Sequence, residues 1–170
     1  MKYNKIIVVG CPGAGKSTFS RKLAEKTGIP LYHLDALYWK EDWTHISRER
    51  LRFIQKRIMK NDSWIIDGNF MNTMETRIKR CNLIIFLDYQ TEVCLDGIVQ
   101  RVGHKRDDMP CIAEKVDEEL VEFVKNFNND RKPLMKALFN KYNNVKLITL
   151  KSREDADRYL DEFKKENDNA

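Results

Sequence analysis

Residues 10–17 read Gly-Cys-Pro-Gly-Ala-Gly-Lys-Ser and meet the spacing G-x-x-x-x-G-K-[ST] at Gly10, Gly15, Lys16 and Ser17. Nothing else in the chain restricts its fold so tightly. The glycines let main-chain N–H groups turn inward around an anion, and the helix that must follow adds the positive end of its dipole. Such a loop needs a strand before it and a helix after it. Both are in place. Ile6-Ile7-Val8-Val9 is a continuous β-branched run suited to a buried parallel strand, and Lys16 to Lys26 carries Phe19, Leu23 and Ala24 on one face. Gly28 and Pro30 then close the helix.

The same alternation continues along the chain. Leu31 to Leu34 predicts a second strand with Asp35 at its tip, and Ser47 caps a helix carrying Leu51, Ile54, Ile58 and Met59. Trp64-Ile65-Ile66 predicts a third strand ending at Asp67, and Leu83 to Leu87 a fourth ending at Asp88. Val145 to Leu150 predicts a fifth. Ser152 and Asp155 form a capping box for a last helix with Ala156, Tyr159, Leu160 and Phe163 on its buried stripe. Residues 164–170 read as a polar, frayed tail. Short apolar strands alternating with amphipathic helices imply one α/β domain over residues 1–170, built on a parallel sheet. One long helical excursion separates strands four and five. It contains the polar run Gly103 to Pro110, so residues of about 101–131 are expected to form a lid.

Hydrophobic residues make up 42% and charged residues 34% of the 170, which excludes a disordered chain. The net charge is +5, but the basic residues are scattered. That pattern fits a site gripping a polyphosphate better than a nucleic-acid surface, and no helix-turn-helix, zinc or RNA-binding signature is present. The cysteines, Cys11, Cys81, Cys94 and Cys111, have no spacing of a metal knuckle or redox pair. The four-residue apolar run near the amino terminus is too short for a signal or membrane span, so a cytoplasmic protein with reduced thiols and no membrane partner is expected.

The loop supplies the nucleotide contacts, Gly10, Cys11, Pro12, Gly13, Ala14, Gly15, Lys16, Ser17 and Thr18. Lys16 is expected to reach the β- and γ-phosphates and Ser17 to ligate Mg²⁺. Asp67 is the second expected metal contact, ranked above Asp88. Asp35 would face the crevice, either taking a proton from an attacking hydroxyl or hydrogen-bonding the acceptor, with a turn-capping role as the alternative. Tyr38, Trp39 and Trp43 either stack on an acceptor or fill the core. Arg101, Arg106 and Arg131 are the lid guanidiniums expected on the transferred phosphoryl group, ahead of Lys105 and Lys132. His33, His45 and His104 show no metal-binding spacing.

Taken together, Gly10 to Ser17, His33 to Trp39 and Trp64 to Phe70 resemble bacterial proteins related to adenylate kinase, often labelled DNA topology modulation proteins. Arg77, the strand Ile84 to Asp88, the Arg106-x-Asp108-Met109 piece, Cys111 and Arg131 extend the resemblance over nearly the whole chain. It implies a nucleoside-monophosphate-kinase type of fold, with a five-stranded parallel sheet in order 2-3-1-4-5 and a helical lid. It also implies ATP and Mg²⁺, and a phosphoryl acceptor that is a nucleotide, a nucleoside or another small hydroxyl compound. Arg101 matches the second arginine of the Arg-x-x-x-Arg pair of adenylate kinases, the first falling on Gly97. Asp67-Gly68-Asn69 lacks the Phe-Pro-Arg that follows Asp-Gly in that family, where the arginine binds the acceptor's phosphate; Arg77, from the next helix turns, is the replacement expected here, and Asn69 is a further expected substrate contact. The family label leaves a rival, an ATP-dependent, nucleic-acid-associated regulator with little kinase activity.

Overall fold

A computed structural model describes the backbone of residues 2–168 and the side chains of residues 2–163. The chain opens with β1 (Lys5–Gly10), whose residues Ile6 to Val9 have no exposed surface, and turns through the loop into α1 (Lys16–Thr27). There follow β2 (Leu31–His33), the short α2 (Leu34–Tyr38), α3 (Arg48–Ile58), β3 (Trp64–Asp67), α4 (Met71–Ile78) and β4 (Leu83–Leu87). The excursion comprises α5 (Thr91–Val99), α6 (Glu118–Asp130) and α7 (Lys132–Lys141), and β5 (Lys146–Leu150) and α8 (Arg153–Asp168) complete the described chain. All pairings are parallel and the sheet order is β2-β3-β1-β4-β5.

That order determines where a ligand can sit. β1 lies between β3 and β4, so the chain leaves its carboxyl end at the point where connections diverge to either side. The register aligns Gly10 with Leu87, Val8 with Asp67, and Asp67 with His33. Strand ends that are far apart in sequence therefore share one edge. β1, β3 and β4 are buried on both faces, as their unbroken apolar runs require, whereas β5 is an edge strand with Leu147 exposed.

The caps form as their sequences imply. Ser47 Oγ accepts from the Arg50 N–H at 3.1 Å, and Ser152 Oγ from the Asp155 N–H at 3.1 Å. Asp155 reaches back to the Lys151 N–H at 3.2 Å. One expectation changes. β2 stops at His33, and Asp35 is the second residue of α2 instead of a strand tip. The bend occurs because Leu34 is fully buried beneath the turn after β3, where a Cβ on Gly68 would lie 3.0 Å from that of Leu34. At the other end, α8 continues through residues 164–168; residues 169 and 170 of the expected tail lie outside the described part.

The excursion is helical on its flanks and irregular between them. Residues 100–117 form a loop with one antiparallel bridge, Arg106 to Met109. The Cys111 thiol donates to the Lys40 carbonyl at 2.7 Å, and the Gly103 N–H donates to the Ala113 carbonyl at 2.8 Å. Asp117 then caps α6 through the N–H groups of Glu119 and Leu120.

Candidate functional site

The loop is held open from three sides. At its start the Asn69 amide makes a paired contact with Gly10, accepting its N–H at 3.1 Å and donating to its carbonyl at 2.8 Å. At its middle Gly13 packs on α5: a Cβ there would lie 1.9 Å from the Cys94 carbonyl, and one on Gly97 would lie 2.0 Å from the Gly13 carbonyl. The glycine at the first Arg-x-x-x-Arg position is thus a matter of space. Gly97→Ala should therefore push α5 off the loop and lower ATP affinity about tenfold or more, measurable by calorimetric titration. At its end Gly15 caps α1 in the left-handed region, φ 85°, with no side-chain cap and no acidic residue in the first turn. The helix dipole is left for an anion to neutralise.

Lys16 Nζ donates to the Gly10 and Cys11 carbonyls at 3.1 Å each. Burial, then the nearby Arg101 charge, holds its pKa below the ordinary lysine value. Arg101 and Arg106 line a cavity of about 430 Å³ together with Gly13, Gly15 and Ser17. Burial and the Arg106 charge likewise depress Arg101. Cations crowded together in a partly dry cleft cost stability that an entering polyphosphate would recover.

The carboxylates marked by the strand ends and the lid have different partners, and of these Asp108 lines the cavity. Asp67 is 4% exposed and its Oδ2 lies 2.8 Å from His33 Nδ1, the neighbour that the β2–β3 register supplies. Asp88 is claimed by two cations, Lys132 at 2.5 Å and Lys151 on the other oxygen, which makes it a structural link between β4, α7 and the end of β5. Asp108 accepts from the Ser17 hydroxyl at 2.6 Å, although the two residues are 91 positions apart. Asp35 differs from the other three. Among the described residues its carboxylate makes no hydrogen bond or ion pair, and burial raises its pKa above the ordinary aspartate value despite the opposing Lys16 charge.

A second cavity, of about 310 Å³, opens between α2, α4 and α6. Tyr38, Phe70, Phe123 and Phe127 give it aromatic walls, and Arg48 and Arg131 stand on its lining. Arg131 is thereby separated from the lid guanidiniums with which it was grouped: it lines this cavity, 5.4 Å over the Phe123 ring, and does not line the first one. Arg48 had no motif to mark it. The aromatic residues after Asp35 pack on one another, Tyr38 stacking on His45 at 4.6 Å and meeting Phe70 edge-on at 5.3 Å.

Arg77 corrects another expectation. It is fully buried, and its guanidinium donates to the carbonyls of Gly68 (2.7 Å), Asn69 and Phe70 (3.3 Å). It faces the turn after β3 and cannot meet an acceptor. Asn69 lines the second cavity, but its amide is engaged with Gly10. Arg77→Met should accordingly destabilise the fold by about 3 kcal/mol or more, through the buried Gly68 carbonyl and the half-buried Asn69 carbonyl left without donors. The expected signature is a lower denaturant midpoint with acceptor KM per folded molecule unchanged. Among the cysteines, the neighbouring Cys94 of α5, then burial, pushes the Cys11 thiol up. All four are free and buried.

Comparisons with known proteins agree with this architecture. A family model described as an AAA domain matches residues 6–122. A Pyrococcus furiosus protein named provisionally as an adenylate kinase is 27% identical over 126 residues, covering 70% of this chain. The chain spans 65% of that relative's length. An adenylate kinase of Mycobacterium ulcerans is 26% identical over 157 residues, covering 77% of this chain and 83% of the relative. Among solved structures, shikimate kinase from Bacteroides thetaiotaomicron superposes with a TM-score of 0.64 at 18% identity, covering 96% of this chain and 97% of its own. Shikimate kinase from Acinetobacter baumannii, in complex with shikimate, gives 0.64 at 17% identity, covering 97% and 94%. At these identities the structural likeness establishes the fold. Among the described residues no helix is long and apolar enough to cross a membrane.

Proposed function

Because the chain belongs to the AAA domain family, we propose that it is an ATP-dependent phosphotransferase that moves the γ-phosphoryl group to a small hydroxyl-bearing acceptor. The observation that carries this reading is Asp35 of α2, a half-buried carboxylate that makes no hydrogen bond or ion pair among the described residues and feels the Lys16 charge. A group held in that state suits proton transfer better than stability. The names of the adenylate kinase relatives and shikimate kinase neighbours support the reaction type.

In this reading Lys16 and the loop N–H groups hold the donor's β- and γ-phosphates. Arg101 and Arg106 close on the equatorial oxygens, where bidentate donors stabilise the spread charge. Asp35 receives the proton of the attacking hydroxyl. The second cavity takes the body of the acceptor, with aromatic walls for an apolar or planar face and Arg48 and Arg131 for an anionic group. Ser17 and Asp67 offer hard oxygen donors, the kind a hydrated Mg²⁺ shared with phosphates accepts. Bound there, the ion would neutralise charge on the transferred group.

A screen of ATP consumption over pooled nucleotides, nucleosides and small hydroxy acids tests the reading. At least one pool should stimulate consumption well above the rate with water alone. A salt-dependent shift of duplex DNA without stimulation by any pool would favour the nucleic-acid-associated regulator instead.

A further inference from the structure

The Ser17 hydroxyl donates to Asp108 Oδ2 at 2.6 Å. Asp108 belongs to the loop between α5 and α6 and is 7% exposed. Arg106, two residues earlier, grips the same carboxylate with Nε on Oδ1 at 3.0 Å and Nη2 on Oδ2 at 2.5 Å. One lid carboxylate therefore links the loop serine to a guanidinium that lines the phosphate cavity. Arg21 and Asp107 add a tie at 2.7 Å between α1 and the lid, but both are exposed and the pair is weak. Asp67, which ends the strand beside β1, is occupied differently: its Oδ2 is paired with His33.

A serine hydroxyl that offers a lone pair to a cation must direct its proton to another acceptor. Asp108 is placed to be that acceptor. From this geometry we infer that Asp108, supplied by the lid, is the acidic positioning residue of the Mg²⁺ site, orienting the Ser17 hydroxyl and the Arg106 fork together. Metal-dependent nucleotide binding is then coupled to a docked lid. The inference rests on the donor-site reading given above. Outer partners of this kind matter because they orient a ligand whose own contact is weak.

Calorimetric titration of ADP into the full chain, with chelator and with Mg²⁺, tests it. Mg²⁺ should tighten ADP binding to the wild type. Asp108→Asn keeps the shape but loses the charge, and should cut that enhancement by about tenfold or more. Each protein's metal-free ADP affinity is its own reference, so the enhancement is read as a ratio. Asp108→Glu should recover part of the enhancement. In a Ser17→Ala background, Asp108→Asn should change the Mg²⁺ effect by less than about twofold, because the hydroxyl it acts through is gone. Trypsin cleavage after Lys105 or Arg106 reads lid docking directly: Mg²⁺ with ADP should slow it in the wild type and not in Asp108→Asn. Full Mg²⁺ enhancement in Asp108→Asn, or the whole effect moving to Asp67→Asn, would overturn the inference and leave the nucleotide site standing. A wild type that binds ADP equally with and without Mg²⁺ would overturn the site reading as well.

Discussion

Lys16→Ala is expected to lower ATP affinity about 100-fold and turnover about 1,000-fold, with the fold intact. The side chain bridges the Gly10 and Cys11 carbonyls and is crowded by Arg101. Removing it forfeits two modest hydrogen bonds but also relieves charge repulsion and the burial of an ammonium group. These terms oppose one another, so the net stability change should stay within about 1 kcal/mol, or roughly 2–4 °C in Tm for a chain of this size. The binding loss has no such offset. The α1 dipole and the loop N–H groups remain, but the compact charge directed at the β- and γ-phosphates is gone. Calorimetry with ATP and Mg²⁺, beside a thermal melt, separates the two effects. Unchanged affinity in a folded variant would refute the phosphate cradle itself.

The parts of the molecule governed by local rules were legible in the sequence. β1, the loop and α1 follow from a β-branched run, a glycine spacing and a 3.6-residue stripe, and Ser47 and Ser152 cap the helices they precede. What escaped depends on which strand ends become neighbours. His33 and Asp67 meet because β2 and β3 are adjacent and in parallel register, which the expected strand order could have disclosed had it been applied residue by residue. Ser17 and Asp108 meet only when the lid folds over α1, and Asp108 sits in a polar run that resembles solvated surface. The Arg106-x-Asp108 spacing was the available signal. Arg77 was misjudged for a related reason: a charged residue late in an amphipathic helix is usually exposed, and three carbonyls of the turn after β3 reverse that rule here.

Asp35→Asn carries the most direct consequence for function. Burial raises the Asp35 pKa above the ordinary aspartate value, so the folded protein prefers the protonated form more than the unfolded chain does. The stability linked to this group is present at low pH and is lost as pH rises through the elevated folded-state pKa. At neutral pH the ionised carboxylate thus weighs against folding, and a neutral asparagine of the same shape should melt at the same temperature or higher. Catalysis should move the other way. Without a base for the acceptor hydroxyl, kcat for the true acceptor should fall by about 100-fold or more, while ATP affinity stays within about twofold. The acid limb of the wild-type kcat profile, set by a carboxylate titrating above the usual aspartate range, should disappear in the variant. Slow hydrolysis of ATP by water, which needs no acceptor, should persist in both. A variant that melts several degrees lower yet turns over the acceptor normally per folded molecule would assign Asp35 to holding α2, and the acceptor's proton would need another destination.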